Sequence, residues 1–127
     1  SSYAAKAAEK KIHTEIHVSA GDFSRFTIPD LCILLSNGLE NAIQASEQLA
    51  DSNKRYIKLR LYSKNTKLCI DIRNSYQTEP VFHQGLPVSK EQGHGFGTKS
   101  MAYIVEKHVG VFQFAVKDGW FIFQATA

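Results

Sequence analysis

Residues 27–49, TIPDLCILLSNGLENAIQASEQL, carry the pattern that decides the fold. The first residues are typical of a helix start: Thr27 can cap the helix, Pro29 lies in the first turn, where an amide needs no partner, and Asp30 suits the positive end of the dipole. At 100° per residue, one face collects small and apolar residues: Leu31, Leu35, Gly38, Ala42, Ala45 and Leu49. We therefore predict an amphipathic helix that runs to about Leu49 and packs this face on a core.

Strand periodicity precedes and follows this helix. From Lys11 to Ser19, polar and apolar residues alternate, which predicts a half-buried strand. The residues expected on its buried side are Ile12, Thr14, Ile16 and Val18. Two further alternating runs, 57–62 and 67–73, are separated by residues 63–66, and this arrangement predicts a hairpin.

A second helix and a second hairpin follow. The helix is expected to begin at about Thr98 and to stop at Gly110, because glycine is favoured just beyond helix ends. Its buried face is expected to contain Met101, Val105 and either His108 or Val109. Residues 111–116 and 120–126 flank an Asp118-Gly119 turn. The order strand, helix, strand, strand, loop, helix, strand, strand indicates an α/β sandwich with a mostly antiparallel sheet and helices on one face.

The composition is that of one globular domain. The chain has 127 residues, 43% hydrophobic and 21% charged, and its net charge of +3 does not by itself argue for nucleic acid or a membrane surface. Cys32 and Cys69 lie in apolar runs and are expected to be buried free thiols. These features exclude a secreted mini-protein, a membrane span, a coiled coil and a disordered tail. Residues 1–10 are expected to be a lead-in, and residues 11–127 the domain.

Two asparagines on the first helix could carry chemistry. Asn37 and Asn41 are four residues apart and therefore stack beside the apolar face, with Glu40 and Gln44 on the same polar side. Burying an amide without a partner costs about 1–3 kcal/mol, so this pair is expected to meet a ligand, an ion or water. The amide oxygen suits Mg²⁺, which also accepts phosphate oxygens. The structural alternative is that both amides reach solvent or loop backbone.

A glycine run and a strand end supply two further candidates. Gly93-x-Gly95-x-Gly97 opens the second helix, where backbone amides and the dipole favour phosphate, and Lys90 and Lys99 bracket it. A flexible loop with solvated lysines would give the same string, which is neither a Walker loop nor a dinucleotide fingerprint. Asn74 ends a strand, where an amide can hydrogen-bond a base or form an ordinary turn.

Together, N-x-x-x-N-A at residues 37–42, the polar Asn74 and the G-x-G-x-G run resemble the GHKL (Bergerat-fold) ATPases. Within that superfamily the chain is most similar to the catalytic, ATP-binding domain of sensor histidine kinases, over roughly Ile12 to Thr126. The resemblance implies an α/β two-layer sandwich with a mixed, mostly antiparallel sheet, helices on one face and a long ATP lid at residues 75–94.

The resemblance also implies roles for individual residues. Asn41 is similar to the family's Mg²⁺-binding asparagine, and Asn37 to the polar residue near the metal and phosphates; both are the implied catalytic residues. The implied nucleotide-binding residues are Asn37, Asn41, Gln44, Asn74, Lys90, Gly93, His94, Gly95, Phe96, Gly97, Thr98 and Lys99.

Three positions depart from the usual family pattern. Asn74 replaces the aspartate that reads the adenine amino group, as in the quorum-sensing and virulence-sensor branch. Gln44 replaces a lysine or arginine, and Thr98 replaces a leucine.

The implied activity is transfer of the ATP γ-phosphoryl group to a histidine, with ATP and Mg²⁺ as cofactors, followed by relay to a response regulator. The five histidines do not supply the acceptor, so it is expected on a helical domain absent from this chain, of which residues 1–10 would be the tail. The chain is expected to be monomeric and cytoplasmic, its parent homodimeric and membrane-anchored, with no nucleic-acid partner.

Three alternatives remain at this point. Another GHKL enzyme, such as an anti-sigma serine kinase, would act without a phosphoacceptor hairpin. A non-catalytic nucleotide-binding or partner-docking module would explain the altered residues Asn74, Gln44 and Thr98. A plain α/β interaction domain would carry the motifs by chance.

Overall fold

The chain contains the predicted strands and helices in the predicted order, with a further short helix before them and a two-stranded hairpin within the predicted loop. The computed structural model describes residues 2–19, 21, 23, 26–88 and 95–127. The helices are α1 (Ser2–Glu9), α2 (Ile28–Glu47) and α3 (Gly95–Lys107), with a 3-10 helix at Ser52–Lys54. The strands are β1 (His13–Val18), β2 (Tyr56–Lys64), β3 (Lys67–Asn74), β4 (Phe82–His83), β5 (Leu86–Pro87), β6 (Val111–Lys117) and β7 (Trp120–Thr126). Among the described residues, no helix has both the length and the apolar character required to cross a membrane.

The main sheet has five strands in the order β1-β2-β3-β7-β6. β1 pairs with β2 in parallel, and every other pairing in this sheet is antiparallel. Helices α2 and α3 pack against each other and against one face of the sheet, where Leu34, Met101 and Val105 are fully buried. The predicted two-layer α/β sandwich with a mixed, mostly antiparallel sheet is therefore confirmed.

The buried face of α2 is rotated from the predicted one. Thr27 caps the helix as expected, and its Oγ1 accepts a hydrogen bond of 3.2 Å from the Asp30 amide. Leu31 and Leu35, however, are only half-buried, and the most enclosed residues are Leu34, Gly38, Ala42, Ile43 and Ser46. The reason is that α2 contacts both β3 and α3, and an unbroken apolar run at residues 31–35 cannot indicate which side will face two partners.

Strand β1 is correctly predicted, but most of its apolar side is not buried. Ile12, just before the strand, is enclosed, whereas Ile16 and Val18 are 46% and 59% exposed. β1 is an edge strand, and Ile16 lines a cavity between β1 and the helices α1 and α2 instead of a filled core. Alternation identifies a strand from its own residues, but the depth of burial depends on what lies above it.

The lead-in residues form a packed helix. After α1, Lys11 has φ 56°, the Lys11 amide donates to Ala8 O (3.0 Å) and the Ile12 amide to Ala7 O (2.9 Å). This is a Schellman end, in which buried Ala7 and Ile12 make the usual apolar contact. Lys10 Nζ also lies 2.9 Å from a Glu47 carboxylate oxygen on α2.

The long segment before α3 is more ordered than predicted. Where the sequence predicted only a loop, its described part contains the β4–β5 hairpin, whose two-residue turn at Gln84-Gly85 has φ values of 52° and 80°. The Phe82 ring stacks on Phe121 of the main sheet at 6.2 Å, and Leu86 packs against the core. These two apolar contacts attach the hairpin to the domain although the rest of the segment is polar.

Helix α3 begins and ends differently from the prediction. It starts at Gly95 rather than Thr98, so the last two glycines of the run lie inside it. At its end Val109, not Gly110, takes the left-handed conformation (φ 57°), and the Val109 amide donates to Glu106 O (2.9 Å). A methyl group on Gly110 would lie 2.5 Å from Ala127 Cβ, so glycine is required there for close packing. Val109 is 88% exposed and therefore does not share the buried face, whereas His108 is half-buried.

We expect Val109→Gly to raise the free energy of unfolding by about 1 kcal/mol. A β-branched residue in the left-handed region costs roughly 1–2 kcal/mol, and glycine removes this cost while adding some freedom to the unfolded chain. Urea denaturation measures the change. Val109→Ala is the control, because alanine keeps the Cβ and should gain much less. A loss of stability in Val109→Gly would contradict the strained helix end.

A carboxylate stands at the centre of the sheet face opposite the helices. Asp71 accepts two hydrogen bonds from Arg73 (2.8 and 3.0 Å) and one from Gln124 Nε2 (2.8 Å). Desolvation by burial, the largest contribution, acts to raise the pKa of Asp71, but the hydrogen bonds from Arg73 and Gln124 outweigh it, so the pKa is lowered from its ordinary value of 3.8. The hydrogen bonds to Asp71 in turn raise the pKa of Arg73.

The domain is expected to lose stability as the pH falls below about 4. A carboxylate whose pKa is lower in the folded state contributes stability that is complete above the unfolded pKa and is lost as the pH falls through the folded pKa. Asp71 is such a group. Urea midpoints between pH 7 and pH 3 should therefore fall less steeply for Asp71→Asn than for the parent. The exposed Glu79→Gln variant controls for removal of a carboxylate, and an unchanged slope in Asp71→Asn would contradict the assignment.

The two cysteines differ. Both are free thiols, but Cys69 is buried on β3 whereas Cys32 is exposed on α2, contrary to the expectation that both are buried. Rotation of the buried face of α2 toward Leu34 places Cys32 on the outer side.

Candidate functional site

The two asparagines of α2 lie beside Gly97, the last glycine of the run, where α2 packs against the start of α3. A methyl group added to Gly97 would lie 3.3 Å from Asn37 Oδ1 and 3.6 Å from Asn41 Oδ1. Both amide oxygens therefore face the backbone at Gly97, and a glycine allows that close approach. Two motifs that are more than fifty residues apart in the sequence form one polar site.

Asn37 is held in one orientation. Its Nδ2 donates a hydrogen bond of 3.0 Å to the carbonyl oxygen of Ile33, one turn earlier on α2. A carbonyl oxygen only accepts, so the atom beside it must be the nitrogen and Oδ1 must point away. Asn37 and Asn41 are both half-buried, so neither side chain is closed off from solvent.

The start of α3 adds positive potential to this site. The first amide groups of a helix have no partner within the helix, and the dipole places partial positive charge there. Because α3 begins at Gly95 and runs for 13 residues, this end lies beside the asparagine oxygens. Such a helix end is suited to an anion, phosphate in particular.

The donor set fits a magnesium ion bound together with phosphate. Mg²⁺ prefers oxygen ligands and usually takes one or two from the protein and the rest from phosphate and water. Asn41 Oδ1 and Asn37 Oδ1 are neutral oxygens on one side of α2. Among the described residues, no three His, Cys, Asp or Glu side chains come together as an alternative cation site.

Asn74 lies at the last position of β3 and is only 2% exposed. It follows the alternation of Leu68, Ile70 and Ile72, so its side chain is on the helix-covered face. Its Nδ2 donates to the carbonyl oxygen of Ser75 at 2.9 Å. This side chain is therefore enclosed rather than at the surface.

Two serines that the sequence analysis did not select connect Asn74 to α2. Ser46 is fully buried, and its Oγ lies 3.1 Å from Ser75 Oγ. Ser46 is five residues after Asn41, a rise of about 7.5 Å along the helix axis. Neither serine carries a signal in the sequence, because the face of α2 predicted to be buried did not include Ser46.

The other predicted site residues are distributed unevenly. Gln44 is half-buried on α2, and its amide makes no hydrogen bond to the described residues. Thr98 is buried in the first part of α3, and Lys99 is exposed. Lys90, Gly93 and His94 lie outside the described residues, as does the side chain of Phe96. Gly95 begins α3.

An ion-pair cluster connects α2 and α3 at the ends that lie away from the asparagines. Asp30 Oδ2 accepts hydrogen bonds from His108 Nε2 (3.0 Å) and Lys107 Nζ (3.1 Å), and the His108 ring stacks on Phe26 at 4.0 Å. The hydrogen bond from His108 and then that from Lys107 lower the pKa of Asp30. The cluster joins the start of α2 to the end of α3 and so supports the alignment that the site requires.

Comparisons with known proteins agree with this architecture. A family model described as "GHKL domain" matches residues 26–126. The catalytic domain of histidine kinase ThkA, in a nucleotide-free form, is similar with a TM-score of 0.71 and 20% identity over 98% of this chain and 83% of that one.

Two further structures share the fold. The mycobacterial sensor histidine kinase MprB gives a TM-score of 0.68 at 18% identity over 98% of this chain and 87% of that one. The histidine kinase domain of the Erythrobacter litoralis EL346 blue-light activated histidine kinase gives a TM-score of 0.72 at 15% identity, over 98% of this chain and 56% of that one. No curated protein matches the sequence.

Proposed function

This chain belongs to the GHKL domain family, and we propose on that premise that it is the ATP-binding kinase domain of a two-component sensor histidine kinase. The observation that carries the proposal is the approach of the Asn37 and Asn41 oxygens to Gly97 at the start of α3. This arrangement combines oxygen ligands for a cation with a helix end that favours phosphate. The enclosed amide of Asn74 supplies a polar group for a base at the other end.

Each part of the site has a role in this proposal. Asn41, with Asn37 beside it, would hold Mg²⁺, which neutralises phosphate charge when bound. The amides at the start of α3 would bind phosphate oxygens and stabilise the charge that develops on them. An imidazole nitrogen from outside this chain would attack the γ-phosphorus in line. The N–P bond would form as the bond to the β,γ-bridging oxygen breaks, and ADP would leave with that electron pair.

The wider assignment follows from the same proposal. The acceptor histidine would lie on a helical dimerisation domain, with residues 1–10 as its tail and residues 11–127 as the kinase domain. A response-regulator aspartate would receive the phosphoryl group next. This chain would be monomeric and its parent a membrane-anchored homodimer with the kinase domain in the cytoplasm. The lid residues Lys90, Gly93 and His94 and the adjoining Lys99 are proposed as further nucleotide contacts.

Calorimetric titration of ATP and ADP, with and without Mg²⁺, tests the nucleotide site. We expect saturable binding that strengthens when Mg²⁺ is present, because the cation joins the asparagine oxygens to the phosphates. The absence of binding at millimolar nucleotide would contradict the proposal. GTP at the same concentrations is the matched ligand control.

A second experiment tests the phosphoryl acceptor. The chain is incubated with γ-labelled ATP and a separately supplied phosphoacceptor hairpin. Label on a histidine nitrogen is acid-labile, whereas label on a serine oxygen is acid-stable. Acid-stable label on a protein substrate would favour a serine kinase. Nucleotide binding without transfer would favour the non-catalytic module that the residues Asn74, Gln44 and Thr98 suggest.

A further inference from the structure

The buried hydroxyl of Ser46 has no role in the functions assigned so far. A polar side chain enclosed in a core costs free energy unless it is hydrogen-bonded, so its position on the buried face of α2 calls for a reason. Its partner is Ser75 Oγ at 3.1 Å, and that same oxygen accepts a hydrogen bond of 2.9 Å from the Tyr56 amide of β2. The Ser75 amide in turn donates to Tyr56 O at 3.0 Å. Ser75 is therefore held by a helix and by a strand.

The position of Ser75 determines the orientation of the Asn74 amide. The Ser75 carbonyl oxygen can only accept, so the Asn74 atom 2.9 Å away must be Nδ2. Oδ1 then points away from it and accepts no hydrogen bond from the described residues. Asn74 is only 2% exposed, so this oxygen lies in an enclosed position on the helix-covered face of the sheet. Asn74 therefore offers Oδ1 as a hydrogen-bond acceptor, while its donor Nδ2 is already bonded to the Ser75 carbonyl.

We propose that Ser75, held by Ser46, is a positioning residue that sets base selectivity by fixing Asn74 with its oxygen toward the ligand. An unrestrained asparagine can rotate its amide and offer either a donor or an acceptor. An asparagine whose amide is fixed with Oδ1 toward the base accepts a hydrogen bond from an amino group. If the base carries a carbonyl oxygen instead, the two oxygens repel each other because both bear partial negative charge. The inference rests on the proposed nucleotide site and adds that its selectivity for amino over oxo purines depends on two hydroxyls outside that site.

Binding of ATP and of inosine triphosphate, whose base has an oxygen in place of the amino group, measures this selectivity. One lost hydrogen bond that leaves a buried group unpaired corresponds to a factor of about 10–100, so the parent should prefer ATP by that factor. Ser75→Ala and Ser46→Ala should each reduce the ratio of the two affinities by about tenfold, because the carbonyl that accepts from Nδ2 loses the support of the hydroxyl pair and keeps only the backbone bond to Tyr56. Ser75→Thr, which retains the hydroxyl at a half-buried position, should restore it.

A second variant separates positioning from general loosening. In Asn74→Asp the side chain has no donor to offer, so adding Ser75→Ala should leave the affinity ratio unchanged. Thermal melts of each variant check folding. If the parent binds no ATP, the proposed function fails. If it binds ATP but Ser75→Ala keeps the parent's ratio, or if Ser75→Ala changes the ratio equally in the Asn74→Asp background, the proposed function stands and this inference is overturned.

Discussion

Asn41→Ala is expected to weaken ATP binding in the presence of Mg²⁺ by roughly 30–150-fold. The variant removes an amide oxygen that faces Gly97 at the start of α3, where we propose that the cation and the phosphates bind. Loss of one interaction with a charged group corresponds to about 2–3 kcal/mol, which gives this range of affinity. Without Mg²⁺ the variant and the parent should differ much less, because the oxygen acts through the cation. Calorimetric titration with each combination of variant and metal measures both effects.

Two further variants make the Asn41 experiment specific. Asn41→Asp keeps an oxygen ligand in nearly the same place, so part of the Mg²⁺-dependent affinity should survive. Gln113→Ala removes an exposed amide from β6, far from α2, and should bind as the parent does. Equal weakening of Asn41→Ala with and without Mg²⁺ would show that the side chain does not act through the cation.

Leu34→Ala is expected to lower the free energy of unfolding by about 3–4 kcal/mol. Leu34 is fully enclosed in the cluster that joins α2, α3 and the sheet, which includes Met101 and Val105. Truncating a buried leucine removes its transfer free energy and leaves a cavity that the surrounding close-packed residues fill only partly. Urea denaturation with a common slope measures the loss.

Ile33→Ala is the matched control for Leu34→Ala. It truncates the preceding residue of the same helix, but Ile33 is 43% exposed, so the cost should be below about 1 kcal/mol. The comparison also tests which face of α2 is buried, because sequence periodicity favoured Leu31 and Leu35 instead. A cost at Ile33 equal to that at Leu34 would contradict the observed rotation of the helix.

The element order was predictable because each element carries its signal in its own residues. The Thr27 cap is confirmed by its bond to the Asp30 amide, and the hairpins follow from alternation and short turns such as Asp118-Gly119. The β4–β5 hairpin was missed because two-residue strands are too short for any periodicity. The left-handed conformation of Val109 was not predicted, because a glycine is the residue expected at a left-handed helix end. Here Gly110 is instead required for its close contact with Ala127.

The candidate site was predictable in part for the same reason. The four-residue spacing of Asn37 and Asn41 places them on one side of a helix wherever that helix lies. Ser46 and Ser75 lack such a local pattern, since a serine on α2 and another after β3 become related when the helix packs on the sheet. The ion pairs of Asp30 with Lys107 and His108 likewise join residues far apart in the chain.

By itself, the sequence determined which segments form helices and strands, and which residues bear amides and glycines at those segments' ends, because backbone periodicity and capping are local properties. The tertiary structure alone decided which face of α2 is buried, how much of β1 is covered, and that Gly97 lies against two asparagine oxygens. It also decided that the Asn74 amide has a single orientation. These features depend on close packing between distant segments, where shifts of an ångström or less separate a contact from a clash.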